Sequence, residues 1–320
     1  MRVLVTGGTG FVGRYLVEAL CSRPERPEII VATRQSRSVQ YSGVRSVELD
    51  ITTAGQVRAV IAAERPTHLF HLAGMAKVYN QDTTQTWDLN FVGVLNIAMA
   101  VREVAPICRL LCCTSSEIYG HSFRSGEPIN ELAPIDPINA YGASKAASDL
   151  LIGEMASQGL KAIRLRPFNH IGPGQSETFV VPSFAGQIAR IEHGQQPPVL
   201  RVGNLKNRRD FLDVRDVVDA YVRALDRFDQ LPAGCAINIA SGSPIAIEDV
   251  LTILLALSSV KIEVTVEPQR LRSGECPVSI GDATRARALL DWAPRFKLVD
   301  TLKWVLDWHR DRVVDDAAFT

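Results

Sequence analysis

The stretch Val3-Leu4-Val5-Thr6-Gly7-Gly8-Thr9-Gly10-Phe11-Val12-Gly13 places three glycines, spaced as GxxGxxG, directly after a strand-like apolar run. A helix-like segment begins at Phe11, with apolar residues at three- and four-residue steps. In this context the turn is tight, the backbone approaches a pyrophosphate closely, and the helix N-terminus donates to it. The stretch therefore predicts a dinucleotide site, with these contacting residues: Gly7, Gly10, Phe11, Val12 and Gly13.

Short β-rich runs alternate with longer helix-like segments in the first half of the chain. The predicted strands cover residues 3–6, 29–33, 46–49, 68–72, 110–114 and 162–166, and the predicted helices 11–22, 54–64, 84–104 and 141–158. This alternation is typical of βαβ units, so we expect an α/β protein with a Rossmann-type, doubly wound parallel sheet. Such sheets bind their ligands outside the carboxyl ends of the strands.

The alternation stops after residue 166, where the chain becomes rich in Pro and Gly and we expect isolated strands at 236–239 and 261–266. We therefore assign residues 1–166, with parts of 205–240, to the dinucleotide-binding domain. Residues 167–204 and 241–320 are expected to form a smaller C-terminal lobe that binds the substrate.

Positive and negative side chains balance, with 35 Lys and Arg against 35 Asp and Glu among 320 residues. A chain without a net field does not attract polyanions, so nucleic acid and an anionic membrane are not expected partners. The longest apolar stretches, 89–101 and 250–260, are shorter than the roughly 20 residues that cross a bilayer, and we expect no signal peptide. Six cysteines without metal-ligand spacing predict reduced thiols, no metal site and a cytoplasmic location.

The segment after the second strand indicates which dinucleotide is preferred. NAD-binding domains usually place Asp or Glu there for the ribose 2′-hydroxyl, whereas a 2′-phosphate calls for cations. Here the segment reads Ala32-Thr33-Arg34-Gln35-Ser36-Arg37-Ser38, without a carboxylate. We therefore expect Arg34 and Arg37 to favour NADP(H), with NAD(H) still open; the alternative is that both arginines are merely solvated.

A second motif, Tyr141-Gly-Ala-Ser-Lys145, begins a predicted amphipathic helix. Residues four apart share a helix face, and we expect the lysine to lower the phenol's pKa from about 10, so that Tyr141 serves as an acid or base. Upstream, Ser115 follows the predicted strand 110–114. A hydroxyl at a strand's carboxyl end can bind the same substrate oxygen that the tyrosine protonates.

With these motifs the sequence resembles the extended short-chain dehydrogenase/reductases, the family that remodels nucleotide sugars. Its segments fall in the family's order along the whole chain: TGGTGFVG, Asp50-Ile51, His71-Leu72-Ala73-Gly74, TSSEIYG and YGASK. Two later segments resemble the family's GDP-sugar branch: Arg166-Pro167-Phe168-Asn169-His170, continuing to Ser176, and 202–216.

The resemblance implies a role for each matching position. Ser115, Tyr141 and Lys145 are implied as the catalytic triad, with Tyr141 and Lys145 also touching the cofactor. The remaining implied cofactor contacts are Asp50 and Ile51 at the adenine end, Leu72, Ala73 and Gly74 along the pyrophosphate and ribose, and His170 at the nicotinamide. The implied substrate contacts are Ser115, Glu117, Tyr141, Asn169, Arg209, Arg272 and Glu275. Arginines on irregular segments suit a second diphosphate, although Arg209 could instead pair with Asp210 or Asp213.

The implied reaction is the NADPH-dependent reduction of the 4-keto group of GDP-4-keto-6-deoxy-D-mannose to GDP-D-rhamnose. In related GDP-mannose 4,6-dehydratases a glutamate in the place of Glu117 removes a proton, so dehydration or epimerisation remains an alternative. A dinucleotide-binding protein without catalysis is a third. The apolar helix at 88–101 and the helix beginning at Tyr141 are expected to form a four-helix contact in a homodimer.

Overall fold

The computed structural model describes residues 1–35, 41–76, 82–271 and 276–318. Within those residues the strands are β1 (Arg2–Thr6), β2 (Glu28–Thr33), β3 (Val44–Glu48), β4 (His68–His71), β5 (Arg109–Cys113), β6 (Ala162–Pro167), β7 (Asn169–Ile171), β8 (Val199–Val202), β9 (Arg208–Asp213), β10 (Ala236–Ile239), β11 (Pro244–Ala246), β12 (Glu263–Val266) and β13 (Val278–Ser279). The α-helices are α1 (Phe11–Cys21), α2 (Ala54–Glu64), α3 (Thr83–Trp87), α4 (Gly93–Val104), α5 (Ala140–Ser157), α6 (Val180–Glu192), α7 (Val214–Asp226), α8 (Ile247–Ala256), α9 (Thr284–Leu290) and α10 (Leu298–Ala318). A π-helical segment, Asp88–Val92, joins α3 to α4.

The main sheet has seven parallel strands in the order β10-β6-β5-β4-β1-β2-β3. The chain builds outward from β1 in one direction and, after the crossover to β4, in the other. The strand order therefore reverses between β1 and β4, and the carboxyl ends of these strands form the crevice where doubly wound sheets bind ligands. The predicted Rossmann-type fold is confirmed.

Two strand expectations are wrong. The run 236–239 is not an isolated strand, because β10 pairs with β6 and forms the edge of the main sheet. The run predicted at 261–266 is also paired: β12 lies parallel to β8 in a separate two-stranded sheet. Both pairings join segments more than 60 residues apart, as the registers Ala236 with Arg164 and Glu263 with Val199 show. Local sequence patterns do not record such long-range partners.

Helices cover both faces of the main sheet. The run Val3-Leu4-Val5 in β1 is wholly buried, as expected for a parallel strand with helices on either side. On one face the core contains apolar residues of α1, α7 and α9, and on the other those of α2, α4 and α5. This packing fixes the first turns of α1 and α5 above the ends of β1 and β5.

A third apolar core lies outside the main sheet. It joins α6, α8 and α10 to β7, β8 and β9, and includes Phe184, Leu254 and Leu306. Strand β9 also pairs with β7, β11 and β13. This separate core supports the expected smaller lobe, whose boundaries remain a prediction. Helix α9 lies within 241–320, but its Ala286 and Leu290 pack in the core on the α1 face of the main sheet. Among the described residues no helix is both long enough and apolar enough to cross a membrane.

Candidate active site

The glycine turn between β1 and α1 is built so that only glycine fits. Gly7 has a φ of +72°, and a Cβ on it would lie 2.7 Å from the backbone nitrogen of Ala73. A Cβ on Gly13 would lie 2.1 Å from the carbonyl oxygen of Gly7. The N-cap residue of α1 is Gly10, and no side chain caps this helix end. The first-turn amides therefore face the crevice uncapped, and the turn fits the pyrophosphate of a dinucleotide.

A cavity of about 610 Å³ opens above this turn and the ends of β1, β2, β4 and β5. We call it the first cavity. It brings together most of the predicted site residues, which line its wall: Gly7, Gly10, Phe11, Val12, Gly13, Arg34, Ile51, Leu72, Ala73, Gly74, Ser115, Glu117, Tyr141, Asn169 and His170. Asp50 and Lys145 are not part of this lining. The lining residues extend from the end of β2 to α5, and this span suits a dinucleotide that lies across the sheet edge.

The end of β2 carries the residues that are expected to select the cofactor. Arg34 lines the first cavity, whereas Arg37 lies outside the described residues. Nearby, the Asp50 carboxylate accepts hydrogen bonds from the backbone nitrogen (2.9 Å) and hydroxyl (2.7 Å) of Thr52, which lower its pKa, and the charge of Arg34 lowers it further. The Asp50 side chain thus holds the turn before α2, while its neighbour Ile51 supplies the cavity surface.

The segment after β6 covers the first turns of α1. The His170 ring stacks on Phe11, with ring centroids 6.0 Å apart and an interplanar angle of 5°. Tyr15 donates to the carbonyl of Pro173 over 2.9 Å. His170 Nδ1 lies 2.8 Å from the carbonyl oxygen of Phe168, an acceptor, so Nδ1 carries the hydrogen. Burial lowers the pKa of His170, and the neutral ring leaves Nε2 as an acceptor.

Ser115 and Tyr141 come from two elements that meet at the crevice. Ser115 follows β5 and caps a short 3-10 turn, where its Oγ accepts from the amide of Glu117 over 3.1 Å. Tyr141 lies in the first turn of α5, whose N-cap Asn139 accepts from the Gly142 amide over 2.7 Å. The Ser115 hydroxyl acts on that of Tyr141 and lowers the pKa of the phenol. Both local caps therefore fix the backbone from which these hydroxyls project.

The expectation that Lys145 acidifies Tyr141 is wrong in this structure. Burial raises the pKa of Tyr141 to about 12, and the charge of Glu117 adds to the rise, while the Ser115 hydroxyl opposes it. Desolvation disfavours the charged phenolate more strongly than the Ser115 hydroxyl favours it. Tyr141 is therefore protonated at neutral pH, which suits a group that donates a proton.

Lys145 lies beneath the lining of the first cavity. It is 6% exposed, and its Nζ donates to the carbonyl of Cys113 over 3.2 Å. A Cβ on Gly74 would come within 3.3 Å of this nitrogen. Burial lowers the pKa of Lys145. The missing side chain at position 74 thus brings the ammonium group close to the cavity floor.

A second cavity, also about 610 Å³, adjoins the first on the side of the smaller lobe. Glu117, Asn169 and Phe179 line both cavities. Arg209 lines the second, where its Nη1 donates to the carbonyl of Cys276 over 2.9 Å. Arg272 and Glu275 lie outside the described residues.

The carboxylates considered as alternative partners of Arg209 have other hydrogen bonds. The Asp210 carboxylate accepts from the amides of Ser241, Gly242 and Gly281 and from the Ser241 hydroxyl. The Asp213 carboxylate accepts from Arg215 and Thr301. These bonds fix the loops behind β9, while Arg209 lies at the wall of the second cavity.

Several lining residues were not predicted. In the first cavity these include Ser116, Phe168, Gln175, Ser176 and Phe179. In the second they include Arg201, Asn204, Asn207 and Arg270. Gln175 and Ser176 fall within a segment already singled out by its resemblance, so that segment could have identified them. Arg201 and Arg270 carry no local signal, because only the pairing of β8 with β12 brings their segments together.

Comparison with known proteins agrees with this geometry. Residues 3–240 match the NAD dependent epimerase/dehydratase family. GDP-6-deoxy-D-mannose reductase of Pseudomonas aeruginosa is 32% identical over 312 residues, covering 96% of this chain and 97% of the relative. GDP-6-deoxy-D-talose 4-dehydrogenase of Aggregatibacter actinomycetemcomitans is 26% identical, covering 98% of this chain and 99% of that protein.

Solved structures show the same fold. The structure of RMD from Pseudomonas aeruginosa complexed with NADPH has a TM-score of 0.83 at 29% identity, covering 97% of this chain and 99% of that one. The Thermus thermophilus UDP-glucose 4-epimerase complex with NAD has a TM-score of 0.84 at 27% identity, with the same two coverages. The resemblance stated from the sequence motifs is thereby confirmed. The chain is an enzyme that belongs to the NAD dependent epimerase/dehydratase family.

Proposed function

We propose that this enzyme reduces the 4-keto group of GDP-4-keto-6-deoxy-D-mannose to GDP-D-rhamnose, with NADPH as reductant and NADH as a possible substitute. The observation that carries the proposal is the protonated Tyr141 hydroxyl beside Ser115 at the wall of the first cavity. Reduction of a ketone consumes a proton, and a phenol with a pKa of about 12 holds that proton at neutral pH.

The choice of substrate is supported by the relatives and by the second cavity. The reductase and the talose dehydrogenase both carry GDP-6-deoxyhexose names and match nearly the full length of this chain. Among the described residues, the arginines that line the second cavity are Arg201, Arg209 and Arg270. Guanidinium groups suit a diphosphate, because each can donate two parallel hydrogen bonds.

The mechanism assigns separate tasks to the residues of the chain. The bound dinucleotide supplies the hydride. Ser115 and Tyr141 hydrogen-bond the ketone oxygen, and Tyr141 donates its proton as negative charge grows on that oxygen. These hydrogen bonds strengthen as the charge develops, so they stabilise the transition state more than the ketone. The Lys145 ammonium, held by the Cys113 carbonyl, lies within the same buried region and favours negative charge nearby.

The remaining assignments belong to the same proposal. Along the dinucleotide, Arg34 and Arg37 meet the 2′-phosphate, Asp50 and Ile51 meet the adenine end, and the glycine turn and 72–74 meet the pyrophosphate and ribose. His170 lies at the nicotinamide end. Asn169, Arg209, Arg272 and Glu275 hold the nucleotide sugar. The positions of the residues support these roles, because Arg34, Ile51, Asn169 and His170 line the first cavity and Arg209 lines the second.

A second candidate is dehydration or epimerisation, favoured by Glu117. This carboxylate lies where the two cavities meet and interacts with Tyr141. A base in that position could remove a proton from a sugar carbon. Such enzymes recycle their cofactor, so no net oxidation of added NADPH would accompany product formation.

A substrate panel tests the proposal. The 4-keto-6-deoxy sugars of GDP, dTDP and UDP are each mixed with NADPH or NADH, and nucleotide oxidation is followed by absorbance. We expect turnover of the GDP sugar with NADPH and a rhamnose product by NMR. A talose product would correct the stereochemistry, and turnover confined to dTDP or UDP sugars would refute the nucleotide assignment.

We also propose that the enzyme acts in the cytoplasm as a homodimer formed by α4 and α5. The six cysteines are free thiols, four of them buried, which is typical of a reducing compartment. On α5, Leu150 is 56% exposed, an apolar side chain placed to meet a second copy. Sedimentation of the wild type and of Leu150→Lys tests the dimer, which we expect this charge to weaken.

A further inference from the structure

Beneath the two catalytic hydroxyls lies a buried carboxylate that no role above uses. Asp149 is fully buried and follows Tyr141 and Lys145 on α5 at the same four-residue spacing. Its two oxygens accept four side-chain hydrogen bonds: from Arg164 Nη1 (2.8 Å), Arg166 Nε (2.9 Å), Arg166 Nη2 (2.6 Å) and Thr114 Oγ1 (3.0 Å). A carboxylate bonded on both oxygens allows its helix little freedom to shift.

The ion pair between Asp149 and Arg166 holds both ends of the turn that carries Ser115. At the first end, Thr114 precedes Ser115 and donates to Asp149. At the second end, the Tyr119 hydroxyl accepts from Arg166 Nη1 over 2.8 Å and donates to Asn238 Oδ1 over 2.7 Å. Residues 115–118, which include Ser115 and Glu117, are thus anchored before and after to one buried ion pair.

The burial of this ion pair favours a positioning role over a simple contribution to the stability of the fold. Arg166 is 3% exposed, so both members of the pair lose their hydration. A buried ion pair rarely stabilises a fold more than apolar residues of the same volume. Its fixed hydrogen-bond geometry does, however, restrict how α5 and the turn after β5 can move against each other.

We infer that Asp149, through Arg166 and Thr114, is a positioning residue that sets the spacing between the Ser115 and Tyr141 hydroxyls. The inference deepens the proposed function, because that spacing decides whether both hydroxyls reach one ketone oxygen. Asp149 itself lines neither cavity; it contacts Thr114, which lines the first, and acts through the two elements that it joins.

Near-isosteric variants test the inference by turnover. Asp149→Asn places an amide donor against guanidinium donors, and we expect kcat to fall about 10-fold to 100-fold, since small misplacements of reacting groups have effects of that order. Thr114→Val and Tyr119→Phe each remove one hydroxyl at nearly constant volume, and we expect smaller losses of kcat. In Asp149→Asn and Tyr119→Phe, KM for the sugar and the Kd of NADPH stay within about 2-fold of wild type, because neither residue lines a cavity. Thr114→Ser keeps the hydroxyl and restores kcat.

Glu192→Gln is the matched control. Glu192 forms a comparable half-buried pair with Arg310, but in the smaller lobe. We expect this variant to lower the melting temperature while kcat stays at the wild-type value. If the Asp149, Thr114 and Tyr119 variants behave in the same way, the pair is only structural and the inference is overturned.

Crystal structures of the variants give a readout that needs no substrate. We expect the distance between Ser115 Oγ and Tyr141 Oη to be longer in Asp149→Asn and Thr114→Val than in the wild type, but unchanged in Glu192→Gln. An unchanged distance overturns the inference. If the wild type reduces no sugar of the panel, the proposed function fails while this distance still decides the inference. Should Asp149→Asn not fold, Thr114→Val and Tyr119→Phe decide it.

Discussion

The two cavities of this enzyme are built in different ways. The first begins in one continuous stretch, where β1, the glycine turn and α1 form the proposed pyrophosphate site. The second is assembled from segments far apart in the chain, since Glu117, Asn169, Arg209 and Cys276 all line it. A local motif encodes the glycine turn of the first, although packing completes its wall, and only tertiary packing creates the second. Substitutions in the first cavity should therefore change cofactor binding, and substitutions in the second should change substrate binding.

The largest effect is expected at Tyr141, where chemistry rather than binding is lost. Tyr141→Phe keeps the ring in the wall of the first cavity and removes the proton donor. We expect kcat to fall about 100-fold to 10,000-fold, the usual contribution of a general acid. Fluorescence titration should give an NADPH Kd within about 2-fold of wild type. Wild-type turnover by this variant would remove Tyr141 from the mechanism.

The glycine turn tests the first cavity alone. In Gly13→Ala the new Cβ meets the Gly7 carbonyl oxygen at 2.1 Å, so the turn must open. We expect NADPH affinity to fall at least about 10-fold and the free energy of unfolding to fall by about 1–3 kcal/mol. Gly55→Ala in α2 is the control, because its Cβ meets nothing within 4 Å and alanine stabilises helices by up to about 1 kcal/mol. Equal NADPH affinity in the two variants would contradict the turn's role.

Arg209 tests the second cavity alone. Arg209→Met removes a cation at the proposed diphosphate site, and we expect KM for the GDP sugar to rise about 10-fold, as for a lost charged hydrogen bond. The Kd of NADPH should not change. Arg208→Met is the control on the neighbouring residue of β9, which is exposed and does not line the cavity. If both variants raise KM equally, Arg209 has no special place in substrate binding.

Arg34 tests how the enzyme selects NADPH over NADH. Arg34→Ala removes a cation at the end of β2, and we expect NADPH affinity to fall about 10-fold while NADH affinity stays constant. In the wild type, the preference for NADPH over NADH should also weaken with rising salt, because an exposed cation is screened. A parallel loss of NADH affinity would show that Arg34 does not recognise the 2′-phosphate.

The smallest expected effect is that of pH. Reduction needs protonated Tyr141 and is lost only as the pH rises through its pKa, which burial raises to about 12. We therefore expect kcat to stay flat between about pH 6 and pH 9 when chemistry is rate-limiting. An alkaline decline centred near neutrality would instead support a phenol acidified by Lys145, as the sequence had suggested.

The glycine turn and the position of Tyr141 could be predicted because their determinants are local. The GxxGxxG turn and the YxxxK spacing each specify a conformation within a dozen residues. Arg201, Arg270 and the partner of β10 could not be predicted, because these depend on pairings across the chain. The pKa of Tyr141 differs from the prediction for a similar reason: the spacing to Lys145 is visible in the sequence, but the burial that raises the pKa is not.

The most direct test follows deuterium from the reduced cofactor. The wild-type enzyme is given GDP-4-keto-6-deoxy-D-mannose and NADPH that carries deuterium at the transferable position, and the product is examined by NMR and mass spectrometry. The account predicts one deuterium at C4 of GDP-rhamnose for each NADPH oxidised. A rearranged or dehydrated sugar without deuterium, and with NADPH unconsumed, would contradict it.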